Sequence, residues 1–220
     1  MDSFVFADDA NEQDRRECLK TIQSYRDKTL GIQKGTEVYN ETSAGYDKVM
    51  STAKYKGPEE LVRVMEDLFP NNRDQVKVLD AASGTGLCGV AMFQAGFTNL
   101  DAVDASAGML AEAKKKNVYQ RLICEYLGEN KLGIKDRIYD AVTMSGETTS
   151  GELGENLVPS SAFQELASII KPGGVLVNVT RKENSGNVPD EEGKWKLESK
   201  KTIPAYLFDK EGVVLTYRIV

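Results

Sequence analysis

Glycines stand at positions 84, 86 and 89, just after a short apolar run, residues 76–80, that ends in Asp80. The stretch reads Val78-Leu79-Asp80-Ala81-Ala82-Ser83-Gly84-Thr85-Gly86-Leu87. Small residues let a backbone approach a ligand closely, and a helix that starts after them offers free N–H groups. The spacing Gly-x-Gly-x-x-Gly, with Asp104 twenty residues beyond Gly84, fits a dinucleotide fingerprint. Asp80 points elsewhere. A carboxylate at the strand end repels a pyrophosphate, but it attracts the sulfonium and ammonium groups of S-adenosylmethionine. The glycines alone fit both cofactors.

Asp104 ends a second short strand, where a carboxylate can accept both ribose hydroxyl protons. Met109, in Ala105-Ser106-Ala107-Gly108-Met109-Leu110, starts the next helix close to an adenine; plain core packing is its other reading. The chain contains no histidine. Proton transfer near neutral pH therefore falls to a carboxylate, Tyr, Lys, Cys or water. Glu147 is the candidate for contacting a cationic or proton-losing acceptor, against the plainer reading of an exposed loop charge. Arg181, after the fifth strand, can bind an acidic acceptor or serve the structure alone. No acidic cluster suggests a metal.

These residues need a frame that brings strand ends together. Helical patterns occupy residues 13–29, 32–55 and 58–69, with Pro58 suited to a first helical turn. From residue 76 onward strands and helices alternate: strands at 76–80, 100–104, 122–126, 139–144 and 175–180, helices at 89–95, 107–116 and 161–170. The runs 202–208 and 213–220, joined by 209–212, read as a terminal antiparallel hairpin. The expected fold is α/β: a Rossmann-like, seven-stranded, mostly parallel sheet with strand 7 antiparallel and helices on both faces. An N-terminal helical cap, residues 1–72, precedes a core of residues 73–220, and the two form one structural unit.

The net charge is −6 and the sequence pI about 5.0, which argues against a nucleic-acid partner. Lys114–Lys116 and Lys200-Lys201 read as solvated faces. No apolar run reaches the ~20 residues of a membrane span. Cys18, Cys88 and Cys124 are widely spaced and form no CxxC pair, which fits buried thiols in a reducing, cytoplasmic setting.

Taken together, residues 76–180 resemble the class I S-adenosylmethionine-dependent methyltransferases. The first loop looks like that family's VLD-x-x-x-GTG motif, with Ala82 in place of the commonest first Gly. Residues 104–110 (DASAGML) look like its second motif, Tyr139-Asp140-Ala141-Val142 like its fourth strand, and Ile170-Lys171-Pro172-Gly173-Gly174 like its LKPGG turn. A closer resemblance is to the methyltransferase-like family of the Williams–Beuren syndrome chromosomal region. It is carried by Val38-Tyr39-Asn40, Ala44-Gly45-Tyr46-Asp47, Lys54-Tyr55-Lys56-Gly57-Pro58, Asn117-Val118-Tyr119-Gln120 and Thr180-Arg181-Lys182-Glu183-Asn184.

The resemblance implies a methyl donor, S-adenosylmethionine, that leaves as S-adenosylhomocysteine. Asp80, Ala82, Gly84, Thr85 and Gly86 would hold its methionine end. Asp104 and Ala105 would hold the ribose, and Met109, Tyr126 and Leu127 would flank the adenine. Met144 and Ser145 would lie under the sulfonium. Tyr39, Tyr46 and Tyr55 would belong to a cap, Tyr46 on the cofactor and Tyr39 and Tyr55 on a small-molecule acceptor. Tyr126 departs from an acid found in many relatives. The helix usual between strands five and six has little room in residues 182–196, so one flank of the sheet is expected to be thinly covered. A homodimer partner would cover it, or the mouth of the site would be unusually open.

Overall fold

The computed structural model describes residues 4–25, 27, 30–129, 132–134, 137–146, 158–159, 161–185 and 193–220. Four helices come first: α1 (Glu12–Tyr25), α2 (Gly31–Thr42), α3 (Tyr46–Thr52) and α4 (Gly57–Leu68). They lead into β1 (Lys77–Ala81), α5 (Leu87–Gln94), β2 (Asn99–Asp104), α6 (Ala107–Lys116) and β3 (Arg121–Cys124). The chain continues through β4 (Tyr139–Ser145), α7 (Ser161–Ile169), β5 (Ile170–Arg181), β6 (Trp195–Leu207) and β7 (Lys210–Ile219). The seven strands form one sheet in the order β3-β2-β1-β4-β5-β7-β6. β1 to β5 run parallel, and β7 lies antiparallel between β5 and β6.

Alternation along the strands divides the core into two layers. Val78, Ala141, Val177 and Val179 face α4, α5 and the N-terminal helices; Leu79, Ala81, Val142 and Leu176 face α7. α4 binds the sheet through Leu61, Val64 and Met65, buried at i, i+3 and i+4. Full burial of such side chains contributes about 2 kcal/mol each before chain entropy is set against it. Pro58 occupies the first turn of α4, as expected.

The terminal hairpin differs from expectation. β6 starts at Trp195, seven residues earlier than the hydrophobic run suggests, and turns through Phe208 and Asp209 rather than through 209–212. Its first half, Lys196 to Lys201, is largely charged because β6 is an edge strand, where lysines deter pairing with other chains. Lys200 and Lys201 are thus edge-strand residues. β5 begins at Ile170 and takes the Pro172-Gly173-Gly174 turn in as an irregularity, with Gly173 at φ 77°. Among the described residues, only a short 3-10 turn, Lys182–Asn184, follows β5 before β6. On that flank Val213, Leu215, Tyr217 and Ile219 are nonetheless buried, in one cluster with α7 and Trp195. No helix among the described residues is long and apolar enough to cross a membrane.

Candidate functional site

A cleft of about 800 Å3, partly open to solvent, lies over the carboxyl ends of β1, β2, β3 and β4. Open α/β sheets bind ligands at this edge. Of the residues singled out in the sequence, Tyr39, Tyr46, Tyr55, Ala82, Gly84, Thr85, Asp104, Ala105, Met109, Tyr126, Leu127 and Ser145 line it. Thr36, Ser83, Leu87, Cys88, Ser106, Glu125 and Val158 complete the wall.

The loop after β1 is shaped by left-handed backbone at Ala82 (φ 52°), Gly84 (φ 55°) and Gly86 (φ 84°). Asp104 fixes it. Its Oδ2 accepts the Gly84 N–H at 2.8 Å, and its Oδ1 accepts the Ser106 N–H at 2.8 Å. One carboxylate therefore ties the β1 loop to the start of α6 while facing the cleft. Burial pushes its carboxyl above the usual value, and the Ser106 and Gly84 N–H groups draw it back. Ala82 is the strained member, since an L side chain in this region costs roughly 1–2 kcal/mol. Ala82→Gly is therefore expected to raise stability by about 0.5–1 kcal/mol, after the greater unfolded-state freedom of glycine is subtracted. Urea unfolding midpoints measure this, and a lower midpoint for the variant would contradict it.

Asp80 is placed differently from the expectation. It is 1% exposed and does not line the cleft. Its Oδ2 accepts the Tyr119 hydroxyl at 2.6 Å, and its Oδ1 accepts the Thr143 hydroxyl at 3.1 Å. It acts from beneath the loop, with both oxygens already engaged, rather than as a direct wall of the site. Gly86 likewise sits behind the wall, and its α-carbon faces Tyr119: a Cβ there would come 2.9 Å from the ring. Met144 also departs. It is fully buried in the layer beneath α7, while its neighbour Ser145 reaches the cleft, because successive strand residues point to opposite faces. Arg181 does not line the cleft either; it lies 3.7 Å from Glu183. Glu147 lies outside the described residues.

Burial pushes the Asp80 carboxyl up to about 6, against the opposing effect of the Tyr119 and Thr143 hydrogen bonds. The sign for stability follows from linkage. A carboxyl raised above its unfolded value binds more protons when folded, so its contribution is fully present below about 4 and is lost as pH rises through about 6. The shift of about two units corresponds to about 3 kcal/mol. Between pH 4 and pH 7 the ligand-free protein is expected to lose stability relative to Asp80→Asn by an amount of this order. Denaturant midpoints of the two proteins across that range measure the difference, and parallel profiles would refute it.

The cap is joined to the loops by polar contacts that sequence reasoning missed. Asn40 Oδ1 accepts the Ser106 hydroxyl at 2.7 Å and the Gly108 N–H at 2.8 Å. Asp47 accepts the Thr85 hydroxyl and pairs with Lys116 at 2.6 Å. Lys116 is thus drawn back to the cap rather than out into solvent. Tyr25 and Tyr39 stack with centroids 4.3 Å apart, and Tyr46 leans on both. The Asn40, Asp47 and Tyr119 positions had been visible only as parts of the second family resemblance. At the other end, Glu165 of α7 accepts the Gly128 N–H at 2.6 Å, which fixes the turn carrying Tyr126 and Leu127.

Residues 78–174 match a family described as a methyltransferase domain. Over 154 residues the chain is 34% identical to methyltransferase-like protein 27 of Homo sapiens, covering 70% of this chain and 60% of that protein. The chain is thus similar to methyltransferases in sequence. A second relative is the demethylmenaquinone methyltransferase of Mycobacterium marinum, 36% identical over 103 residues, 46% of this chain and 39% of that one. The chain thus spans between about two fifths and three fifths of the length of these two curated relatives. Solved structures share its fold. The DhpI–SAH complex aligns with TM-score 0.59 at 19% identity, covering 87% of this chain and 98% of that one. The [4+2]-cyclase SpnF aligns with TM-score 0.62 at 13% identity, covering 86% and 96%.

Proposed function

We propose that this protein is a methyltransferase that binds S-adenosylmethionine in the cleft and transfers its methyl group to a small-molecule acceptor. The observation that carries the reading is Asp104: a partly buried carboxylate on the cleft wall, fixed by the Gly84 and Ser106 N–H groups and flanked by the apolar Met109 and Leu127. Ribose hydroxyls suit the carboxylate, and an adenine suits the apolar surfaces beside it. Ser83 supports the fit: the residue lines the cleft, and its buried hydroxyl has no hydrogen-bond partner among the described residues. Such a group costs free energy until a polar ligand meets it. The similarity to proteins named as methyltransferases, and to a structure described as a complex with SAH, supports the same cofactor.

When bound, this cofactor supplies an electrophilic methyl group. The loop at residues 82–85 orients its amino-acid end, and Asp104 holds the nucleoside end. The tyrosines of the cap exclude water from the space between them. Catalysis on this reading is alignment plus exclusion of water, which need no metal. The reading keeps a cytoplasmic small molecule as acceptor rather than a nucleic acid or a membrane, and sedimentation equilibrium tests the expected homodimer. A second reading is a cofactor-binding protein without methyl transfer, since the fold also serves the [4+2]-cyclase SpnF. Calorimetric titration with S-adenosylhomocysteine and NADH is the first test, and labelled transfer into a metabolite extract the second. Binding of NADH without binding of S-adenosylhomocysteine would overturn both readings.

A further inference from the structure

Resting on that function, we infer that the acceptor is an uncharged nucleophile with a free lone pair and no proton to lose, a heteroaromatic ring nitrogen or a thioether, positioned by the Tyr55 and Ser145 hydroxyls. These two hydroxyls are 2.7 Å apart, and both line the cleft where β4 ends. Behind them the Tyr206 hydroxyl lies 3.5 Å from that of Tyr55 and donates to the Val179 carbonyl at 3.3 Å. The Tyr55 and Tyr206 rings meet edge to face, 5.3 Å apart. Room for this contact comes from Gly57, where a Cβ would fall 2.2 Å from the Tyr55 oxygen and 2.5 Å from that of Ser145. The group is polar and partly buried, backed by the fully buried Tyr206, and it lies across β1 from the nucleoside end at Asp104.

Its members are all uncharged at neutral pH. Burial pushes Tyr55 and the adjoining Cys88 well above their ordinary values, and Tyr206 to about 12. They can orient a ligand by hydrogen bonds but do not take up a proton. The charged residues among the described cleft wall are both acids, Asp104 and Glu125. By strand register they lie two and three strand spacings from β4, roughly 10 and 14 Å, at the nucleoside end. The chain has no histidine to act as a base.

A step that releases no proton fits this wall. The acceptor lone pair forms a bond to the methyl carbon as the carbon–sulfur bond breaks and its electron pair stays on sulfur. One positive charge passes from sulfur to the acceptor, and the balance closes with no base.

The test uses the whole chain, methyl-labelled S-adenosylmethionine and four probes: quinoline, diethyl sulfide, phenol and benzoate. Label is collected by cation exchange, and a pH indicator follows proton release. The expected result is a labelled cation from quinoline or the sulfide with no proton released. Tyr55→Phe is expected to lower that rate about tenfold and leave S-adenosylhomocysteine affinity within twofold, which also shows that the variant folds. Label in phenol or benzoate alone, or in none of the four while S-adenosylhomocysteine binds, overturns the inference. So does proton release that Glu147→Gln abolishes. Absence of S-adenosylhomocysteine binding overturns the proposed function instead.

Discussion

Asp104→Ala is expected to lose S-adenosylhomocysteine affinity by at least about 100-fold. On the proposed function the carboxylate has two tasks, and the substitution ends both. Two charge-assisted hydrogen bonds to ribose hydroxyls are worth about 1.5–3 kcal/mol each, and 1.4 kcal/mol is a factor of ten. The same change leaves the Gly84 and Ser106 N–H groups without their partner, so the β1 loop and the start of α6 lose their tie. Asp104→Asn separates the two tasks imperfectly but usefully. Its amide keeps the volume and one acceptor, yet presents an NH2 group where an N–H already points, so a loss of more than tenfold is expected. Calorimetry on both variants measures this. An Asp104→Ala protein that bound as tightly as wild type would refute the ribose assignment.

Gly89→Ala is expected to destabilise the protein by about 3–5 kcal/mol, although alanine ordinarily strengthens a helix. A Cβ at position 89 would lie 2.1 Å from the Tyr119 oxygen and 2.2 Å from its ring carbon. Gly86 packs on another side of the same ring, where an added Cβ would fall 2.9 Å from it. Overpacking costs about 1–3 kcal/mol, and displacing the hydroxyl removes a charged hydrogen bond from buried Asp80 worth about 1.5–3 kcal/mol. The sign should reverse in a Tyr119→Ala background. There the clash is gone, and the helix propensity of alanine should leave Gly89→Ala neutral or stabilising by up to about 1 kcal/mol. A double-mutant cycle on urea midpoints measures the coupling. Additive effects would show that Tyr119 does not hold Gly89 to glycine.

The third glycine of the loop motif thus has a local reason. In a dinucleotide site it would allow close helix–strand packing; here it makes space for a tyrosine that arrives thirty residues later. Glycine spacing was legible in the sequence, but its cause was a contact between distant residues. Met144 and Ser145 teach the same lesson in a strand. Both were read as lying under the sulfonium, but period-two alternation sends Met144 into the α7 layer and only Ser145 to the cleft. The early start of β6 was illegible for another reason. An edge strand is protected by charge, so residues 196–201 lack the apolar alternation that marks a buried strand.

The sequence by itself determined the fold class, the parallel core and the place of the cofactor loop. Those features depend on short-range patterns: apolar runs of strand length, helical spacing, small residues at one turn, an acid at each of two strand ends. The tertiary structure decided which acid faces the ligand. Asp80 and Asp104 look alike in the chain, each closing a short apolar run. Folding puts Tyr119 and Thr143 onto the first and leaves the second open to the cleft, tied by two backbone N–H groups. It also decided how the cap closes, through Asn40 to Ser106 and Gly108 and through Asp47 to Thr85 and Lys116. These pairs are 38 to 69 positions apart in sequence. No local pattern encodes a polar contact at that separation, because its geometry exists only after the hydrophobic layers on both faces of the sheet have set the elements in place.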